Sequence, residues 1–182
     1  MIFYQTKLNG AWLIEIEPLG DRRGFFARTM CREEFAKRGL VDEYVQQNTS
    51  FSSQRGTLRG LHYQIRPYAE AKLVRCIRGA IMDVIVDLRE ASSTYLRHQL
   101  FELTDANRHQ LYVPPGFAHA FQTLSDDTEV SYLVSARYHP QAERGLRYSD
   151  ERLGIEWPLP VTVLSEKDSA WPLIGERTEP LY

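Results

Sequence analysis

AKLVRCIRGAIMDVIVDLRE, residues 71–90, is the stretch that decides the fold class. It holds two runs of apolar and β-branched residues separated by Arg78-Gly79, and in the second run Asp83 and Asp87 interrupt the alternation. Val and Ile are stiff at χ1 and pack well on a pleated surface, so both runs predict strands, and the Arg-Gly break predicts a hairpin. Working outward, short runs of the same kind recur in WLIEIEPLG (12–20), RHQLYVPPG (108–116), HAFQTL (119–124) and EVSYLVSARYH (129–139). Gly, Pro, Asp and Ser bound them at roughly the 8–12-residue spacing of a sandwich or barrel, which favours an antiparallel, mainly β chain. CREEFAKRGL (31–40) predicts a short helix, and TDAN (104–107) and SEKDSAW (165–171) predict small turns or helical pieces.

The 182 residues suit one domain, spanning 1–182, with enough chain to bury a sizeable core. Two cysteines, Cys31 and Cys76, stand in no paired spacing, so reduced thiols and a cytoplasmic location are expected. The first twenty residues lack a basic segment followed by a long apolar one, and no apolar run approaches ~18 residues. Neither secretion nor a membrane span is expected. Twenty-two Lys+Arg against 24 Asp+Glu give a net charge of -2 with neither sign in a long run, which argues against nucleic acid as a partner.

The chemistry gathers around GTLRGLHYQ (56–64) and VPPGFAHAF (113–121), which carry His62 and His119. Their spacing is similar to that by which cupin barrels bring histidines from two hairpins into one cavity. A metal cupin has a second histidine two residues after the first; here that position is Gln64, and the acidic residue, Glu70, falls later than usual. Losing an imidazole removes a preferred metal ligand, so no metal and no other cofactor is expected. Arg59, Gln47, Asn48 and Lys72 lie near His62 in sequence, and Tyr132, Arg144 and Asp168 follow. Each alone reads as packing or a solvated face. Gathered at a barrel mouth they supply what proton abstraction beside a ketone needs: a base, a cation or donor for the enolate oxygen, and an acid.

Seven ordered motifs then carry a resemblance: RGFF (23–26), Gln46-x-Asn48, GTLRGLHYQ, KLVRCIRGAIMDVIVDLR (72–89), YVPPGFAHAF (112–121), ERGLRYSDERLGIEWP (143–158) and LSEKD (164–168). Together they resemble the dTDP-4-dehydrorhamnose 3,5-epimerase family over about residues 20–174. The resemblance implies an antiparallel cupin or jelly-roll barrel, its core about 45–140, with N-terminal strands and a C-terminal helical segment packed on it. It also implies a nucleoside diphosphate 4-keto-6-deoxyhexose substrate epimerised through an enolate. By position, His62 matches the base, Asp168 its carboxylate partner, Tyr132 the acid and Lys72 the cation at the C4 oxygen. His119 matches the second histidine, beside the carbonyl or behind it. Arg59 and Arg23 match diphosphate-binding arginines, Gln47 and Asn48 residues facing the nucleotide sugar, and Phe26 an aromatic near the base. A homodimer with an exchanged N-terminal strand is implied, so that Arg23 and Phe26 serve the partner's site.

Three departures leave alternatives open. Ala27-Arg28 stands where many members have an acid near the base, so a cytidine or guanosine diphosphate sugar competes with thymidine. Leu133 and Ala120 replace a lysine and a glycine common in the family, so C3, C5 or both centres remain open. A sugar-nucleotide ketoisomerase and a non-catalytic sugar-binding cupin are the competing classes, and a metal dioxygenase ranks last.

Overall fold

The computed structural model describes residues 1–177 and 180–182. The strands, in chain order, are β1 (Ile2–Gln5), β2 (Trp12–Glu15), β3 (Leu19–Asp21), β4 (Gly24–Phe26), β5 (Gln46–Ser52), β6 (Leu58–Gln64), β7 (Lys72–Arg78), β8 (Ala80–Asp87), β9 (His98–Thr104), β10 (Gln110–Val113), β11 (Phe117–Thr123), β12 (Thr128–Val134) and β13 (Glu143–Gly145). They form a six-stranded sheet, β1-β2-β10-β7-β12-β5, and a five-stranded sheet, β13-β6-β11-β8-β9; β3 and β4 pair by themselves. The strand pairs are antiparallel, and the two large sheets close on one another as a jelly-roll barrel of cupin type.

Alternation along the strands explains the layering. Val74 and Cys76 of β7, Ile81 and Ile85 of β8, and Phe117 and Phe121 of β11 point between the sheets and bury one core with Leu111 and Val130. Their neighbours face outward and are buried as well. Leu73 packs with Ile14, Tyr112 and Phe35, and Val86 packs with Leu61, Tyr63, Leu146, Leu153 and Ile174. Strands covered on both faces read as nearly continuous apolar runs, which is the pattern of 71–90.

The expected hairpin at Arg78-Gly79 is corrected by the topology. β7 pairs with β10 and β12, whereas β8 pairs with β9 and β11, so the break is a corner where the chain changes sheets. Gly79 takes a positive φ of +79°, and a Cβ there would meet Ser125 Oγ at 2.5 Å. A tight reversal and a sheet-to-sheet corner ask for the same local residues, and only distant partners tell them apart.

Helix α1 is shorter than expected, Arg32–Ala36, because the chain turns at Gly39, whose φ is +67°. Helix α2 (Glu166–Ser169) is capped by Ser165, whose hydroxyl accepts from the Asp168 N–H at 3.0 Å. Among the described residues no helix is long and apolar enough to cross a membrane.

Candidate active site

His62 and His119 face each other across β6 and β11, directly paired in register. One residue further the register slips: Gly60 and Leu61 together oppose Ala120, and Arg59 then pairs with Phe121. This bulge turns Arg59 to the same side as His62, because one extra residue reverses the alternation. Only glycine fits at 60, since a Cβ there would lie 2.5 Å from the Ala120 Cβ and φ is +119°. Arg59 is held by Ser52 Oγ at 3.1 Å and the Phe51 carbonyl at 2.9 Å.

Two adjoining cavities, about 190 and about 500 Å³, share His62, Lys72 and Tyr132. The smaller adds Gln46, Asn48, Glu70 and Glu143; the larger adds Arg59, His119 and Asp168. The two histidines come from the five-stranded sheet, and Lys72 and Tyr132 from the six-stranded sheet, so the cavity has different chemistry on its two walls.

His62 Nε2 lies 2.6 Å from Asp168 Oδ1, and the second carboxylate oxygen accepts from the Gly60 N–H at 3.2 Å. Burial pushes the Asp168 carboxyl up, but the hydrogen bond and charge of His62, with Gly60 and Ser165, more than reverse this and hold it below the usual carboxylate value. With Nε2 given to Asp168, Nδ1 takes no hydrogen bond among the described residues. The His62 side chain is one-third exposed while Asp168 is buried, which leaves the imidazole accessible and its partner dry. Trp171 meets the His62 ring edge-on, with centroids 6.3 Å apart.

Behind this pair sits another. His119 Nε2 lies 2.8 Å from Asp83 Oδ2, both groups buried, and Asp83 Oδ1 has no hydrogen-bond partner among the described residues. Burial raises the Asp83 carboxyl, opposed by His119 and by the charge of Lys72. Burial also raises the Tyr132 phenol, only partly offset by Arg59 and a hydrogen bond with Asn48, so the hydroxyl keeps its proton at neutral pH.

The sequence profile of the dTDP-4-dehydrorhamnose 3,5-epimerase family matches residues 5–176. The chain belongs to this family. A dTDP-4-dehydrorhamnose 3,5-epimerase from Sinorhizobium fredii is 46% identical over 97% of this chain and 91% of its own. The Bacillus anthracis dTDP-4-dehydrorhamnose 3,5-epimerase, solved with TDP and PPi bound, superimposes with a TM-score of 0.92 at 40% identity, covering 95% of this chain and 99% of that one. The Legionella pneumophila dTDP-6-deoxy-D-glucose-3,5-epimerase, in complex with dTDP-4-keto-L-rhamnose, gives 0.90 at 37% identity, over 96% and 93%.

Within this epimerase the predicted residues divide. His62, Lys72, Tyr132, Asp168, His119, Arg59 and Asn48 meet at the cavities. Gln47 does not: it lies on the exposed face of β5, donating to Ser131 Oγ at 3.1 Å, and Gln46 lines the cavity instead, 2.8 Å from Asn48 Oδ1. Strand alternation puts 46 and 48 on one face and 47 on the other, a signal already present in the Gln46-x-Asn48 spacing. Arg23 and Phe26 lie away from this chain's own cavities, on the exposed β3–β4 hairpin, their side chains 84% and the residue 71% exposed respectively.

Sequence reasoning missed Gln46, Tyr138 and Glu143 at the cavity wall, and Asp83 behind it. Tyr138 donates to Glu143 Oε2 at 2.8 Å, and Glu143 pairs with Lys167 at 2.5 Å. Asp83 looked like an interruption of β8. Its odd-numbered phase with Ile81 and Ile85 was the available signal that it points inward.

Proposed function

We propose that this epimerase inverts C3 and C5 of dTDP-4-keto-6-deoxyglucose through an enolate. The observation that carries the reading is the His62–Asp168 pair at 2.6 Å on one wall of a cavity whose other wall presents Lys72 and Tyr132. The base and the acid then approach a bound ring from opposite faces, which is the condition for inversion.

In each inversion, neutral His62 removes the proton on the carbon beside the C4 ketone, and the resulting imidazolium is stabilised by Asp168. The electron pair moves onto the C4 oxygen, where the Lys72 ammonium meets the developing charge. Tyr132 donates its proton to the opposite face of the carbon. His62 ends protonated and Tyr132 deprotonated, so resetting the site exchanges both protons with solvent. Arg59 binds a diphosphate oxygen with its planar donors. Asn48, together with Gln46, contacts the sugar.

The names of the relatives support thymidine as the base. We propose a homodimer in which the exposed β3–β4 hairpin carries Arg23 and Phe26 to the partner's site; the exposure of Leu19, Phe25 and Phe26 supports it, since large exposed apolar patches mark interaction surfaces. Residues 1–182 act as one domain, in the cytoplasm, with no cofactor.

Proton NMR in deuterium oxide with freshly generated dTDP-4-keto-6-deoxyglucose tests the proposal. Deuterium at C3 and C5 with altered ring couplings is expected. Exchange at one centre only, exchange confined to cytidine or guanosine analogues, or binding without exchange would each replace the reading with a narrower one.

A further inference from the structure

An ammonium carries three N–H donors in fixed directions, on a stem with several rotatable bonds. Lys72 Nζ donates to the His62 carbonyl at 3.4 Å and forms an ion pair with Glu70 Oε1 at 3.3 Å that is not aligned as a hydrogen bond, so among the described residues the ammonium keeps N–H donors for a ligand. Both side chains are nearly buried, Lys72 at 11% and Glu70 at 7% exposure, and both line the smaller cavity.

Glu70 is itself braced. Its other oxygen accepts from Gln64 Nε2 at 2.8 Å, and the second N–H of that amide donates to the Tyr68 carbonyl at 3.0 Å, with the Arg137 carbonyl 3.3 Å away. Gln64 Oε1 accepts from the His139 N–H at 2.6 Å, so both ends of the carboxamide are fixed. Gln64 thus serves as a brace at the position where a metal cupin has its second histidine.

We propose that Glu70, locked by Gln64, is a positioning residue that keeps the Lys72 ammonium where it can donate to the ketone oxygen. The inference rests on the reading that Lys72 acts at that oxygen. Glu70 holds the ammonium by charge at short range, in a wall where both side chains are nearly buried. Misplacing a stabilising group by about 1 Å costs on the order of a hundredfold in rate, and losing one of two anchors costs about tenfold.

The test is a double-mutant cycle, with kcat, KM and dTDP binding measured for each protein. Glu70→Ala is expected to lower kcat about tenfold, with KM and dTDP affinity within about threefold of wild type. Glu70→Gln removes the charge and offers one oxygen to two donors, Lys72 Nζ and Gln64 Nε2, and is expected to lose kcat to within about threefold of Glu70→Ala. In a Lys72→Met background, Glu70→Ala is expected to change nothing beyond about twofold. Wild-type turnover and the loss caused by Lys72→Met alone test the underlying reading. Given both, losses that multiply, a Glu70→Gln protein as fast as wild type, or a joint collapse of kcat and dTDP binding would overturn the role of Glu70.

Discussion

Replacing Asp168 by Asn changes almost no volume but alters what the carboxylate offers. Asp168 accepts at both oxygens, from Gly60 N–H at 3.2 Å and opposite His62 Nε2 at 2.6 Å. A carboxamide has one acceptor. A hydrogen bond to a charged group contributes about 1.5–3 kcal/mol. At 1.36 kcal/mol per decade, losing it from the imidazolium slows deprotonation by about 10- to 160-fold. A second effect adds to the first. If the Asn oxygen stays with Gly60, its N–H₂ faces Nε2, the ring proton moves to Nδ1, and the nitrogen left for the substrate can no longer accept. The expected loss in kcat is therefore about 100-fold or more, with dTDP affinity close to wild type and a lowered melting temperature at neutral pH. Solvent deuterium exchange into the substrate, dTDP titration and thermal melting read these three quantities. An Asp168→Asn protein that exchanges within threefold of the wild-type rate would exclude this role for Asp168.

Tyr132→Phe removes only the hydroxyl; exchange at carbon is expected to persist while inversion falls by about 100-fold or more, read from deuterium content against ring couplings. Gly145→Ala places a Cβ over the Trp171 indole, which itself packs on His62, so it should destabilise by about 1–3 kcal/mol and lower kcat, read by denaturant unfolding and turnover. Asp87 is buried, which raises its carboxyl, yet Arg89, Ser92 and Thr94 together hold it below its ordinary value of 3.8. Because its folded value is depressed, its stabilisation is present above pH 3.8 and is lost as pH falls through the folded value. Asp87→Asn should therefore lower stability at neutral pH and flatten the acid limb of a melting-temperature profile; an acid limb as steep as wild type would count against this.

Much of the β architecture was legible because β7 and β8 carry apolar residues on both faces, and only a twice-covered strand needs that. The corner at Arg78-Gly79 was not, since alternation reports local faces and pairing is set by β9 to β12. The site was legible unevenly. Asn48 and Arg59 stood close to His62 in sequence, but Arg59 faces the cavity only because Gly60-Leu61 bulges against Ala120. Asp168 lies 106 residues from His62, and no periodicity joins them; the LSEKD resemblance supplied the pair. Gln47 was assigned by motif position, and strand phase turns it away from this chain's cavities. Asp83 was seen but not understood, because a buried carboxylate inside an apolar strand makes sense only once His119 is beside it.

The central claim is that His62 removes the proton. The measurement is the rate of deuterium entry at C3 and C5 catalysed by His62→Asn, alongside its affinity for dTDP. Exchange slowed by about 100-fold or more with dTDP binding retained is expected. A folded His62→Asn protein that binds dTDP and exchanges at the wild-type rate would contradict it.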